Sequence, residues 1–205
     1  MNCGCGKSNC GCRRGARGPT GATGPVGPIG AAGLGAIIPF ASGEPIAVTH
    51  VVGGLLDTGA VIGFGSSLAG ATVQVGGATI DLSGAVGVAI NQSFSAPRDG
   101  ALRRLQVYFS SLVGLALEGT TIALRSQIYT SPGSNIFTPV AGALVDMAIL
   151  GNVTVGFTTN QASPLLNVPI SLGDRLLLVT RIAAVTPVDL PTGLTGYLSA
   201  GLLID

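Results

Sequence analysis

The most reactive side chains stand together at the start of the chain: Cys3, Cys5, Cys10 and Cys12, in the pattern C-x-C-x4-C-x-C, with no cysteine after them. Zinc is one chemistry open to such thiolates, but structural zinc sites pair cysteines about two to four residues apart and often add histidine. Here the gaps are single residues and no histidine is near. Bridges within the tail would staple no fold. Crosslinks to another chain or protein, and a reduced solvated tail, complete the set of readings. The expectation carried forward is a tether, with these four cysteines as crosslinking residues in an attachment tail spanning residues 1–14. Lys7, Arg13 and Arg14 make that tail basic and solvated rather than a nucleic-acid arm.

Elsewhere the chain offers little catalytic material. His50 is its single histidine, inside the apolar run Ala47-Val-Thr-His-Val-Val52, and reads as a strand residue. G-x-S-x-G, P-loop and H-E-x-x-H motifs are absent. Asp57, Asp81, Asp99, Asp146, Asp174 and Asp189 are scattered singly, without the D-x-D clustering of a calcium loop, and Asp99 and Asp174 read as turn residues. The sequence therefore assigns no catalytic residue, no resident metal and no cofactor, and the protein is expected not to be an enzyme.

What must position the cysteines is a repeat. Gly15, Gly18, Gly21, Gly24, Gly27, Gly30 and Gly33 recur at every third position, and Pro19, Pro25 and Pro28 follow three of them directly. Gly-X-Y in this register is the collagen pattern, because only glycine fits the crowded axis where three polyproline-II strands meet. A stalk over residues 15–35 is expected, and with it a homotrimer that would gather the thiols of three tails at one end. Its complete triplets span roughly 50–55 Å at about 3 Å per residue, too little to hold three chains alone. Something beyond the stalk must nucleate the trimer. Thr20 and Thr23 fall at outward Y positions, where they are either O-glycosylation sites or plain stalk surface.

Composition changes beyond the stalk. Hydrophobic residues make up 47% of the chain and charged residues 9%, against about 25–35% charge on an ordinary solvated surface. Six arginines face all nine acids beyond the stalk, which leaves no basic nucleic-acid face. Long uncharged stretches such as residues 147–173 are broken by Asn152, Asn160, Gln161, Pro164 and Pro169, so no membrane partner is expected. The first residues lack the apolar core of a secretory signal.

Residues 36–43, AIIPFASG, cluster Ile37, Ile38 and Phe40 around Pro39, an apolar docking peptide. It is either the first strand of its own head, the preferred reading, or a strand added to a neighbouring head. From residue 44 to 205 the period is two: Leu105, Val107 and Phe109 alternate with Arg104, Gln106 and Tyr108, and Leu176, Leu178 and Ile182 with Arg175, Leu177, Val179 and Arg181. Turn residues at 97–100, 131–135, 173–174 and 191–193 divide the runs. About ten short strands are expected in an all-β antiparallel sandwich, a jelly roll being the preferred version. Residues 86–90 and 198–204 are apolar on both faces, and a trimer axis would bury the second face.

With these pieces assembled, the chain resembles the collagen-like surface proteins of Bacillus spores, and its C-terminal part is similar to the BclB-type exosporium head. The resemblance rests on Gly18-Pro-Thr-Gly-Ala-Thr23, the junction Ile37-Ile-Pro-Phe-Ala-Ser-Gly43, Gly63-Phe-Gly65, Ile80-Asp-Leu-Ser-Gly84, Phe94-Ser-Ala-Pro-Arg-Asp-Gly100, Asp174-Arg-Leu-Leu-Leu178 and Gly196-Tyr-Leu-Ser-Ala-Gly201. It implies a trimeric jelly-roll head like that of tumour necrosis factor and complement C1q, and a structural role in exosporium hair or a spore-appendage fibre. It also implies assembly from the mother-cell cytoplasm, with neighbouring trimers or exosporium and coat proteins as partners of the tail. The alternative from another class is a C1q-like recognition head that binds glycans or host surface proteins.

Overall fold

A computed structural model describes residues 17–24, 35–53, 57–72, 79–84, 92–187 and 190–205. The chain divides into two units, Met1–Gly33 and Leu34–Asp205. In the first, residues 17–24 are exposed and carry no helix or strand.

The second unit is all-β, with no helix among the described residues. Its strands are β1 (Ala36–Ala41), β2 (Ile46–His50), β3 (Thr58–Ile62), β4 (Ser67–Thr72), β5 (Ile80–Asp81), β6 (Phe94–Ser95), β7 (Gly100–Ser111), β8 (Thr121–Ser131), β9 (Ile136–Leu150), β10 (Thr158–Ala162), β11 (Val168–Ile170), β12 (Arg175–Thr186) and β13 (Thr192–Ile204). The count exceeds the expected ten because β5 and β6, two residues each, and β11, three residues, are too short for their period to be read.

All strands join one antiparallel sheet with the path β10-β7-β13-β2-β3-β12-β8-β9-β5. The link between β2 and β3 is a single pair, Thr49 with Thr58, and there the sheet folds over into a sandwich. One half holds β10, β7, β13 and β2, with β1 beside β13 and β11 beside β7. The other holds β3, β12, β8 and β9, with β4, β6 and β5 beside β3, β12 and β9.

Alternation decides the core. Leu105, Val107 and Phe109 of β7 and Leu198 and Leu202 of β13 meet Ile122, Leu124 and Ile128 of β8 and Leu176, Leu178 and Ile182 of β12 in one buried cluster. Each such side chain stabilises the fold by roughly 1.5–3 kcal/mol. On the core side of the second half, Ser126 Oγ of β8 and Thr180 Oγ1 of the neighbouring β12, both fully buried, bond each other at 2.8 Å, which satisfies two hydroxyls that burial would otherwise penalise. Gly196 has a steric reason: a Cβ there would run into the Ser110 carbonyl and the Phe109 ring.

The sandwich has two unlike ends. At its base, where β1 begins, Ala36 pairs with Ile204 and Ala101 and Asp205 exchange backbone hydrogen bonds at 2.8 and 3.1 Å. Asp205 also takes a hydrogen bond from Arg103 Nε. At the opposite end, the crown, the loops following β2, β7, β9 and β12 each carry the chain from one half to the other.

Candidate functional site

β13 is the most enclosed strand of its half. It bonds β7 along residues 196–204, β2 along 192–196 and β1 along 199–204. Leu198, Leu202 and Ile204 point into the core, so Tyr197, Ser199, Gly201 and Leu203 point out of the sandwich. Register places them against Ser110, Tyr108, Gln106 and Arg104 of β7, with Asn160 of β10 beyond Tyr108. On the other flank Pro39 lies opposite Gly201 and Ile37 opposite Leu203.

The result is an open, nearly uncharged sheet face. Ile37 is 71% exposed, Tyr197 44% and Tyr108 42%, and Arg104 is the only ionised side chain in these rows. A hollow of about 220 Å³ between the two tyrosines is lined by Ala41, Ser42, Gly43, Leu198 and Ser199. An apolar, aromatic-bearing face of small relief suits contact with another flat protein surface. It carries no arrangement of nucleophile, base and oxyanion donors.

The sequence-derived residues take different places. Ile37, Ile38, Pro39 and Phe40 lie in β1, paired with β13 of the same chain. They serve two sides: Phe40 is 2% exposed and belongs to the core, Ile38 packs against it, and Ile37 and Pro39 face outward. The Ala41 N–H donates to the Gly63 carbonyl at 2.8 Å, away from β13. Alternation then turns the backbone nitrogen of Pro39, which has no hydrogen to give, to the same unpaired edge, and this keeps that edge from pairing freely. Thr20 and Thr23 are exposed. Cys3, Cys5, Cys10 and Cys12 lie outside the described residues, as do residues 86–90.

His50 closes β2 and is buried; its Nδ1 stands 3.0 Å from Asp57 Oδ2, while Asp57 Oδ1 accepts the Val51 N–H at 2.9 Å. The pair holds the turn from β2 to β3. Sequence reading set these residues apart, since only the hairpin joins positions seven apart. Asp99 and Asp174 make turns as expected, accepting Leu172 N–H at 2.7 Å and Ser171 N–H at 2.8 Å. Among the described residues no three His, Cys, Asp or Glu gather to hold a metal ion, and no helix is long and apolar enough to cross a membrane.

Tyr108 and Tyr197 were missed as site residues. Their signal was available, since each alternates with core residues of a strand and so must face outward.

The second half treats its outer face differently. Leu177 and Val179 of β12 point away from the central core, yet they are 0% and 1% exposed. Val61, Tyr129, Phe137, Ile80 and Leu82 bury them in a second cluster. Arg175 stacks over Phe137 at 5.1 Å and donates to Ser93 Oγ, Ser134 O and Asn135 Oδ1. Burial pushes the Tyr129 phenol above its ordinary value, against the opposing charges of Arg181 and Arg125. A hydrogen bond from Arg125 to Asp146, 2.7 Å at Nε, raises the guanidinium further.

The chain is 34% identical over 180 residues to Collagen-like protein 1 of Acanthamoeba polyphaga mimivirus, a match covering 84% of this chain and 19% of that protein. The chain thus spans about a fifth of its relative's length. Because the first unit ends at Gly33, a match of this extent runs through most of the β-rich second unit. No family model matches the chain, and no solved structure does. By sequence, then, it is similar to a collagen-like protein, and its head is an antiparallel β-sandwich.

Proposed function

We propose that the chain is a non-enzymatic structural protein of the bacterial spore surface: a homotrimeric subunit or anchor of exosporium hair or a spore-appendage fibre. Its head drives assembly, its Gly-X-Y stalk sets spacing, and Cys3, Cys5, Cys10 and Cys12 tether it to a layer or a neighbouring trimer. The observation that carries this reading is the open face of β1, β13 and β7. It is uncharged over most of its rows, displays Ile37, Tyr108 and Tyr197, and belongs to a chain whose glycine repeat calls for two partners of the same kind. A jelly-roll reading is supported by the order β2-β13-β7-β10 in one half over β3-β12-β8-β9 in the other. Similarity to a collagen-like protein supports the fibrous character, and the GPT-GAT triplets with the IIPFASG junction support the spore surface.

Sedimentation of the full chain in reductant tests the stoichiometry: three chains are expected, and a compact single chain overturns the proposal. On spores, deleting residues 1–14 should release the protein with its trimers intact. Retention of the shortened protein on the spores overturns tethering. The rival recognition head draws on the same tyrosines, whose hollow has aromatic walls. A glycan array probed with the full chain separates the two, because tyrosines closed inside a trimer are not free to stack on a sugar.

A further inference from the structure

The crown has no part in the contacts described so far. The loops after β7 and β9 are tied together: Leu115 and Val153 exchange backbone hydrogen bonds at 2.8 Å, the Gly156 N–H donates to the Ser111 carbonyl at 2.9 Å, and the Leu117 N–H donates to Asn152 Oδ1 at 3.1 Å. On this frame Val51, Val52, Leu112, Val113, Val155 and Leu190 are 40% to 70% exposed. Among the described residues of these loops the ionised side chains are Glu118 and Asp57, and Asp57 is turned inward onto His50.

An exposed aliphatic patch at one end of the head marks a contact, and its chemistry narrows the partner. Loops that enter lipid commonly set Lys, Arg or interfacial aromatics beside their apolar tips, and the described crown exposes none of these. Interfaces with unrelated proteins concentrate energy in Trp, Tyr and Arg, also missing here. A second crown fits, because like aliphatic surfaces need no charge complement.

Area agrees only for three chains together. If a fully exposed Val or Leu side chain offers on the order of 100 Å² of apolar surface, one crown contributes roughly 300 Å². Three contribute roughly 900 Å², close to the ~800 Å² per partner of a standard stable interface. We propose that the crown of one trimer docks on the crown of a second through Val51, Val52, Leu112, Val113, Val155 and Leu190, joining two heads end to end. The proposal rests on the trimer reading above, since a lone head falls short in area.

The test is the mass of the full chain in reductant, by sedimentation over a range of concentrations. Expected are six chains in exchange with three, with ammonium sulfate favouring six, as apolar contacts require. The double substitution Val113→Asp, Val155→Asp should weaken pairing at least a hundredfold and leave three chains; Val52→Ser, Val155→Ser should weaken it less and tests the same contact with a milder change. Wild-type trimers that never pair, or hexamers indifferent to both variants, overturn the proposal. A variant of one chain rather than three locates the failure in the trimer reading instead. Phosphatidylcholine vesicles supply the last arm: retention of the wild type but not of the Asp variant reassigns the crown to lipid and overturns self-docking.

Discussion

The two outer faces of the sandwich begin with the same difficulty and end differently. β12 and β13 both carry apolar side chains on the side away from the core. Over β12 the chain supplies its own cover: Ile80 and Leu82, from the segment between β4 and β7, close over Leu177 and Val179 with Tyr129 and Phe137. Over β13 no described segment does this, and Tyr197 and Leu203 stay at the surface with Tyr108 and Ile37. A strand apolar on both sides therefore does not count partners. It states that a second cover is needed, and whether that cover is the same chain or another depends on what the connecting segments can reach.

Substitutions can break this contrast. The largest effect should come from the open face: Ser199→Arg with Tyr108→Asp is expected to abolish the proposed trimer at micromolar concentration, read by sedimentation. The fold of each chain should hold, its unfolding free energy changing by no more than about 0.5 kcal/mol per exposed site. On the covered face, Leu177→Ala in that dissociated background should cost about 2–5 kcal/mol in urea unfolding, because it opens a cavity in a packed cluster.

Tyr129→Phe should change stability at neutral pH by about 1 kcal/mol or less, since the buried hydroxyl has no hydrogen-bond partner of normal geometry to lose. Its signature is in alkali. The folded chain holds the Tyr129 proton above the ordinary value of 10.0, so above that pH the unfolded chain binds fewer protons than the folded one and stability falls as pH rises. The Phe variant should lack this part of the slope. Smallest of all, Asp146→Asn removes a partly exposed ion pair with Arg125 and should cost about 0.5 kcal/mol or less, with little left to lose in high salt.

Much of the head was legible in the sequence because burying one face forces a period of two. β7, β8 and β12 follow the alternation of Leu105 to Phe109, Ile122 to Ile128 and Leu176 to Ile182, and Asp99 and Asp174 sit in turns where their residue type placed them. The cover over β12 was not legible. Ile80 and Leu82 stand in Ile80-Asp-Leu-Ser-Gly84, too short a piece for its period to be read, and their role appears only when β5 pairs with Ile136 and Phe137. The His50–Asp57 pair and the crown were hidden for a related reason. The aliphatic runs Val51-Val52 and Leu112 to Leu117 are plain in the sequence, but their meeting depends on the crossovers after β2, β7, β9 and β12 all falling at the same end.

The pairing of Ala36 with Ile204 and the exchange between Ala101 and Asp205 also govern how this head can be put to use. Cargo fused after Asp205 would emerge beside the point where β1 begins. Cargo inserted at Glu118-Gly119, exposed and with Gly119 already at φ 67°, would leave from the far side instead. Fusion at the final residue therefore leaves the crown clear, whereas cargo in the internal loop would obstruct crown-to-crown docking.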